Sequence, residues 1–519
     1  MIFRDMLLLE VHTLSRSMQS RRGRRVSQAI FYYLAPLLVF GAVLFADFVP
    51  SVFGSYADQR LLLALSMIVL IVLGILRVQS QQNIVSMLSE FWPFLPLSIS
   101  FLLAAFQLAA GPYYLVEPVF YALYFLSFGV AGFVIRAQGR TREVAHGLVT
   151  VAGVSCFFYA AMSITVYLFA ISDGFSSLHH VIPWGFVNIR YWSHIATWVV
   201  PLLPLCLLTV SWKDNRLWLL GVSSTGAIWW WILFLSSSRG SIISLFAGLI
   251  LAWFFFGRAA LPWLRLSVRF VVYGLIIWFL FSIVVPSLVF DEIQVRGIKG
   301  GSSGRIPLWL EAWQMSMQNF PFGMGSQSWL THELLTESYR ASPKFAHPHN
   351  MYLMWAAEYG WICIAAIVLL CSVALRALFS RVVDIREEKY SNALYLVAFT
   401  SSVSAAIIHA GVSAVFIAPG SMLVGLYVLS VFWALIKPGT KPNRPAVKVR
   451  SPSGSGYVGY MLALVVILAG ALWFFEVLRY REAMEGDLTD YQDETSLGQL
   501  PRFWFHGNFP RHPSQMPDN

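Results

Sequence analysis

The stretch Lys344–Gly360, KFAHPHNMYLMWAAEYG, joins the longest polar loop of the chain to a strongly apolar run. His347 and His349 stand at the end of the loop. Asn350, a residue type that caps helices well, comes directly before the apolar run. We expect a loop at a membrane surface to enter a membrane-spanning helix here, and the rest of the chain to hold that loop in place.

The composition is that of a polytopic membrane protein. Of the 519 residues, 57% are hydrophobic and only 12% are charged, and the mean hydropathy is +0.65. These values lie far outside the range of soluble domains. The net charge of +10 does not indicate nucleic-acid binding, because the basic residues are scattered between apolar runs and form no basic stripe or reading motif.

Thirteen apolar runs have about the 17 to 25 residues that a membrane-spanning helix needs. With the first end of the chain in the cytoplasm, the segments on that side hold 24 of the 36 Lys and Arg residues. This bias agrees with the positive-inside rule, and it directs the long loop 289–349 away from the cytoplasm. The runs are 29–49, 60–76, 91–110, 116–135, 147–171, 193–211, 217–235, 240–257, 268–288, 350–375, 392–413, 419–436 and 457–477.

We therefore expect an all-α polytopic membrane protein with about 12 to 14 transmembrane helices and one long periplasmic loop that contains short helices. The segment Lys437–Gly456, rich in Lys, Pro, Gly and Ser, is typical of a flexible connector. The expected parts are a cytoplasmic N-terminal segment (1–28), helices 1–9 (29–288), the loop (289–349), helices 10–13 (350–477) and a polar, partly disordered tail (478–519).

Three arginines lie on the predicted outer side of the membrane, where a cation either anchors the chain at the interface or binds an anion. For Arg239, in the very short turn LSSSRG (235–240), we favour binding, because the positive-inside rule disfavours an anchor on this side. Arg305 precedes Pro307 at the start of a predicted helix, whose N-terminus attracts anions, although a solvated loop arginine would explain it equally well. Arg190, among aromatic residues, is the weaker third candidate.

Two histidines and one carboxylate complete the set of candidate chemical groups. A loop histidine such as His349 is more often a surface residue than a catalytic one. The pair His347 and His349 could bind a metal, but no further ligand follows at a convincing spacing, so we expect no metal site. Glu358 would lie roughly 13 Å deeper along the helix, where a carboxylate is either functional or a neutral or paired structural group.

Taken together, three motifs resemble the superfamily of O-antigen ligases and O-antigen polymerases, to which protein O-oligosaccharyltransferases also belong. The ligase and oligosaccharyltransferase signature is similar to His-Asn, nine residues, Gly, two residues, and then Gly, Thr or Tyr. His349, Asn350 and Gly360 fit it, whereas Cys363 departs from its last position. The motifs, which cover about residues 180–375 in order, are LSSSRG (235–240), GRIPLW (304–309) with NFPFGMG (319–325), and HPHNMYLMWAAEYG (347–360).

The resemblance implies a GT-C-like membrane fold and a glycosyltransferase that uses neither a metal nor another cofactor. The family takes a glycan from an undecaprenyl-diphosphate carrier at the periplasmic face of the bacterial inner membrane and joins it to an acceptor hydroxyl. The essential histidine of the family matches His349, and its paired arginines match Arg239 and Arg305. We expect His349 to be catalytic, Arg239, Arg305 and Arg190 to bind the donor diphosphate, and Asn350, His347 and Glu358 to support them.

The chemistry of these residue types agrees with that expectation. Fixed arginines can stabilise a leaving diphosphate without a metal, and histidine is the side chain whose ordinary pKa suits a base near neutral pH. We predict inverting transfer by direct displacement. The favoured acceptor is the lipid A core of lipopolysaccharide biosynthesis, and the alternatives are a protein hydroxyl or a lipid-linked glycan. A transporter is the alternative from a different class, disfavoured because the candidate residues gather on one outer face.

Overall fold

A computed structural model describes residues 22–48, 55–79, 91–105, 113–175, 177–290, 304–387, 392–437, 454–494 and 501–511. Within these ranges the chain forms helices and connecting turns without any strand, and ten helices are long and apolar enough to cross a membrane. The predicted all-α polytopic membrane fold is therefore confirmed. Most of the predicted N-terminal segment, up to residue 21, and most of the connector, residues 438–453, lie outside the described residues.

Fourteen helices of ten or more residues occur in the described ranges, and we number them in chain order. Each of the thirteen predicted spans overlaps one of them, and the fourteenth, α10, lies in the long loop. They are α1 (Arg22–Leu44), α2 (Tyr56–Gln79), α3 (Leu95–Ala105), α4 (Tyr113–Ala137), α5 (Thr141–Ser172), α6 (Ile189–Val199), α7 (Arg216–Ser236), α8 (Arg239–Phe256), α9 (Leu261–Phe279), α10 (Arg305–Gln318), α11 (Met351–Arg386), α12 (Ala393–Ala410), α13 (Pro419–Ile436) and α14 (Gly454–Glu494).

Helix α13 lies at the centre of the bundle and packs against α2, α4, α6 and α12. Its sequence contains no charged residue and is apolar on all sides, as expected for a helix without an exposed face. Gly425 allows a close approach, because a Cβ atom at this position would stand 2.8 Å from the hydroxyl of Tyr124 and 2.9 Å from the ring of Trp198. This packing fixes α6 and α12, both of which carry residues of the candidate site.

The loop segment 319–325 docks onto the first turns of α11. The backbone N–H of Met324 donates to the carbonyl of Ala357 at 2.7 Å. Gly360 has φ +82° and interrupts the helix where the loop crosses it. A Cβ atom there would stand 2.2 Å from the carbonyl oxygen of Pro321, so only glycine fits. The loop is thereby held against the helix that follows His349.

Of the predicted polar tail 478–519, the structure describes residues 478–494 and 501–511. Helix α14 continues to Glu494, and residues 501–511 return into the interior, where Arg502 and Trp504 are each 1% exposed. The physical reason is that aromatic side chains of this segment pack among the helices while Arg502 meets buried carboxylates. The polar composition of the tail concealed these contacts, since their partners are distant in sequence.

Candidate functional site

His349 lies in a tight turn directly before α11. Its φ of +55° is uncommon for a residue other than glycine. Its backbone N–H donates to Nδ1 of His347 at 3.1 Å, and the two rings pack edge to face with centroids 4.4 Å apart. As predicted, Asn350 caps the helix, and its side chain accepts from the N–H groups of Tyr352 and Leu353. The cap and the histidine pair fix the turn relative to α11.

The imidazole of His349 is almost fully enclosed by protein. The residue is 9% exposed, and the ring of Phe345 packs edge-on against it at 5.1 Å. Its Nε2 atom is buried and has no hydrogen-bond partner in the part of the chain that the structure describes. Leaving such an atom without a partner costs about 1–3 kcal/mol. Nε2 is therefore available to a group that is not part of this structure.

Arg190 and Arg305 lie close enough to His349 to act on its charge, and Arg190 and Arg239 act in the same way on Arg305. Burial first, and then the positive charges of Arg190 and Arg239, lower the pKa of Arg305. Burial, followed by the charges of Arg190 and Arg305, lowers the pKa of His349 to about 3. Such effects require short distances. We call Arg190, Arg239, Arg305 and His349 the cationic site.

Each arginine of the cationic site stands at the N-terminus of a helix. Arg190 is the second residue of α6, and its backbone N–H donates to the capping side chain of Asn188 at 2.9 Å. Arg239 begins α8. Arg305 begins α10 after Gly304, whose φ of +72° turns the chain into the helix. Because helix N-termini carry a partial positive charge, they add to the attraction that the side chains exert on an anion.

A second pair of histidines lies beside the cationic site, and the sequence analysis missed it. His194 of α6 and His409 of α12 face each other with ring centroids 5.1 Å apart. His194 shares a hydrogen bond with Ser413 at 2.7 Å, and His409 contacts the hydroxyls of Thr197 at 3.0 Å and Ser241 at 3.2 Å. These bonds join α6, α8 and α12 behind the arginines. A histidine inside an apolar run was the available signal, since ionisable residues are costly in membranes.

Glu358 pairs with Arg502 and not with any of the three predicted arginines. Both of its oxygens accept from Nη2 of Arg502 at 2.7 Å, and the same nitrogen lies 3.1 Å from Glu117. Burial alone would lower the pKa of Arg502, but Glu117 and Glu358 raise it well above its ordinary value. We call Arg502, Glu117 and Glu358 the charge network. The sequence analysis missed Glu117 and Arg502, although a carboxylate in an apolar run was a signal for Glu117.

Glu311 holds the remainder of the long loop onto α10. Its carboxylate is fully buried and contacts Nε2 of His332 at 2.9 Å, together with the N–H groups of Leu335 at 2.7 Å and Thr336 at 2.8 Å. Burial raises the pKa of Glu311, but the hydrogen bonds from these groups outweigh it, so the pKa is lowered. The helix that begins with Arg305 is thereby tied to the loop that leads to the histidines.

A cavity of about 710 Å³ opens beside α6. Its wall includes Tyr191 and Ile195 of that helix, together with Trp184 and Asp47. None of the predicted site residues lines it, although Tyr191 directly follows Arg190 in the chain. Its volume falls within the range of about 300–1,000 Å³ that is usual for small-molecule sites.

The middle of the chain matches a known family. Residues 219–368 match the family model described as O-antigen ligase. The matched segment begins in α7 and ends in α11, so it contains Arg239, Arg305 and His349 but neither Arg190 nor Arg502. No curated protein and no solved structure matches the chain significantly. The resemblance inferred from the three motifs is confirmed for this segment, and the chain is a multi-pass membrane protein whose middle part is similar to O-antigen ligases.

Proposed function

We propose that this protein moves an undecaprenyl-diphosphate-linked saccharide to an acceptor hydroxyl at the periplasmic face of the bacterial inner membrane, with the lipid A core as the acceptor. The family match supports a glycosyltransferase of the ligase or polymerase type. The observation that carries the proposal is the cationic site itself. Arg190 and Arg305, at two helix N-termini, act on the charge of a histidine whose Nε2 has no partner among the described residues, and Arg239, at a third N-terminus, acts on Arg305.

The arginines would bind the diphosphate of the donor. Burial and then the charges of Arg190 and Arg239 lower the pKa of Arg305, and an anion that enters would offset the contribution of these charges. Arginine suits phosphate oxygens because its planar guanidinium donates two parallel hydrogen bonds. As the bond between the anomeric carbon and the diphosphate oxygen breaks, negative charge grows on the leaving group. Cations already fixed in place stabilise that charge without reorganising.

His349 would act as the base. With its pKa lowered to about 3, it is neutral at pH 7 and can accept a proton, although a group of that pKa is a weak base. An anionic diphosphate offsets the charges of Arg190 and Arg305 and so raises the pKa towards neutrality, where base catalysis is efficient. Nε2 takes the proton of the acceptor hydroxyl while the acceptor oxygen attacks the anomeric carbon from the side opposite the diphosphate. The configuration at that carbon is thereby inverted.

The cavity beside α6 offers room for the acceptor. Trp184 and Tyr191 contribute aromatic surface with polar edges to its wall, and Asp47 contributes a carboxylate. Aromatic side chains of this kind combine apolar contact with hydrogen bonding, which suits a molecule made of hydroxyl-bearing sugar rings. The position of Tyr191 next to Arg190 would bring such an acceptor towards the donor.

The test is transfer from a labelled undecaprenyl-diphosphate oligosaccharide in membranes that contain equal amounts of wild type or His349→Ala. We expect His349→Ala to lower the rate by about 10²- to 10⁴-fold, the usual contribution of a general base. His146→Ala is a matched control with near wild-type transfer, because His146 contacts Tyr395 on other helices, outside the cationic site.

The fraction that carries the label identifies the acceptor. Label in the lipid A core supports the ligase. If the label is found in protein, or in a lengthened carrier-linked glycan, the proposed mechanism stands but the acceptor is not the lipid A core. Near wild-type transfer by His349→Ala would contradict the role of His349, and substrate flux across vesicles without any transfer would favour a transporter.

A further inference from the structure

The segment 501–511 runs through the interior of the helical bundle. Phe503 and Trp504 are each 1% exposed, and the guanidinium of Arg60 stacks on the ring of Phe503 at 3.6 Å. Side chains of the bundle also hold its backbone. Tyr191 donates to the carbonyl of Pro501 at 3.1 Å, Tyr56 to that of Arg502 at 2.7 Å, and Nε of Arg60 to that of Phe503 at 2.9 Å.

Arg502 connects this segment to the loop that carries the candidate catalytic histidine. Its guanidinium bonds to Glu358 at 2.7 Å and to Glu117 at 3.1 Å. Its Nη1 atom donates to the carbonyl oxygen of Ala346 at 3.4 Å. Ala346 directly precedes His347. One buried guanidinium therefore contacts two membrane helices and the histidine loop.

A second path leads from the charge network to the same loop. Glu358 accepts the backbone N–H of Trp329 at 3.1 Å, and the indole N–H of Trp329 donates to the carbonyl of Phe345 at 2.8 Å. The ring of Phe345 packs against His349. The carbonyl groups of two successive residues, Phe345 and Ala346, are thus fixed by the charge network, one of them through Trp329.

We infer that Arg502 is a positioning residue, which uses the charge network to hold the loop 345–349 in the conformation that the reaction needs. This inference rests on the proposed function of the cationic site. His349 has an uncommon positive φ, a conformation that persists only where neighbouring contacts enforce it. The family match ends at residue 368, so it assigns nothing to this segment.

The experiment compares Arg502→Gln with Arg511→Gln in the full chain. Arg511 belongs to the same segment but contacts Asp487 and Tyr491, away from the loop. For equal amounts of folded protein, we expect Arg502→Gln to lower kcat by roughly 10- to 100-fold, because small displacements of reacting groups have effects of this size. We expect KM for the donor to stay within about twofold, since the arginines of the cationic site are unchanged. Arg511→Gln should keep the wild-type kcat.

A second variant addresses folding, because Arg502→Gln leaves two buried carboxylates without their counter-ion. Glu117→Gln/Glu358→Gln/Arg502→Met removes all charges of the network together, a kind of replacement that proteins often tolerate. We expect this variant to melt near the wild-type temperature and still to show a reduced kcat, since Ala346 has lost its donor. Wild-type kcat in this folded variant would overturn the inference. A loss in Arg502→Gln that merely parallels the loss of folded protein would overturn it as well.

Chemical modification separates this inference from the proposed function. Diethyl pyrocarbonate acylates accessible imidazoles, and mass spectrometry can compare the modification of His349 with that of the exposed His180 in the same sample. We expect Arg502→Gln to raise the modification of His349 several-fold relative to His180. An unchanged ratio would contradict the positioning role. Absence of glycan transfer by the wild type, with the ratio changed, would instead count against the proposed function alone.

Discussion

Arg305 and Arg502 are both removed from solvent to a large extent, but their surroundings shift their pKa values in opposite directions. Burial and two neighbouring arginines lower the pKa of Arg305. For Arg502, two buried carboxylates outweigh burial and raise the pKa. Within the described part of the chain, Arg305 forms no ion pair, whereas Arg502 forms two.

This difference distinguishes a cluster that binds a ligand from a cluster that supports the structure. The charge network is compensated by the chain itself, so it fixes helices and a loop and needs no ligand. In the cationic site, the positive charges of Arg190 and Arg239 act on Arg305, and a bound anion would offset this repulsion. Clusters of like charge with perturbed pKa values are therefore candidates for binding and catalysis, and compensated clusters for support.

The largest effect that would test this comparison belongs to Arg305. We expect Arg305→Gln to lower kcat/KM for the donor by about 10²- to 10³-fold, the usual result of losing one donor to a charge that develops in the transition state. Its melting temperature should not fall, because the substitution removes a repelled charge. Arg305→Lys should recover only part of the rate, since an ammonium group cannot donate two parallel hydrogen bonds. Loss of folded protein with normal specific activity would instead mean that Arg305 supports the fold and not the reaction.

Substitution of residues that only support the fold should lower stability, and Gly360 is the clearest example. In Gly360→Ala, the new Cβ would stand 2.2 Å from the carbonyl oxygen of Pro321 and 2.4 Å from the carbonyl carbon of Phe322. These are backbone atoms that cannot rotate away, and φ is +82°. We expect the free energy of unfolding to fall by about 3 kcal/mol or more, measured by thermal melting and by the amount of protein in the membrane.

A matched control for Gly360→Ala separates the steric clash from the backbone conformation. Gly174 also has a positive φ, of +70°, but a Cβ atom there would meet nothing within 4 Å. Gly174→Ala should therefore show only the conformational cost of about 1 kcal/mol. Equal destabilisation by the two substitutions would mean that the docking of the loop 319–325 onto α11 does not contribute.

The sequence predicted those parts of the fold that depend on local patterns. Apolar runs located the helices because each span is a continuous segment whose length the bilayer sets. The cap at Asn350 was predictable for the same reason, since the side chain and the backbone N–H groups that donate to it lie within three residues. The short turn at Arg239 also follows from local sequence, because two apolar runs meet there with few residues between them.

The contacts of the charge network could not be predicted in this way. Arg502 and Glu117 are 385 residues apart, and Arg502 lies in a polar, proline-containing tail whose composition is typical of disorder. No periodicity relates two residues at such a separation. Charge effects link Arg190 and Arg305 to His349, and Arg239 to Arg305. Only motif order, and not any pattern of spacing, had associated Arg239, Arg305 and His349, and Arg190 lies in none of the motifs. Their catalytic roles stay predictions.

The smallest expected effect concerns pH, and it tests whether binding of the donor diphosphate raises the pKa of His349. Protonation of His349 inactivates it as a base, so a lower pKa moves the acid limb of the rate profile to lower pH. The profile of kcat/KM reports the free enzyme and that of kcat reports the donor complex. With the pKa of His349 at about 3 in the free protein, and raised once a diphosphate offsets the arginines, the acid limb of kcat should lie at higher pH.

Arg190→Gln sharpens the test, because Arg190 is the charged group that follows burial in lowering the pKa of His349. Removing this positive charge raises the pKa of His349 in the free enzyme. The acid limb of kcat/KM should therefore move to higher pH by a fraction of a pH unit, while the titration of the donor itself is unchanged. The rates are measured from about pH 2 to about pH 8, so that the range includes the acid limb of the free enzyme, at saturating and at limiting donor. Coincident acid limbs for kcat and kcat/KM, unmoved by Arg190→Gln, would show that His349 does not sense the anion and that the comparison with the charge network does not hold.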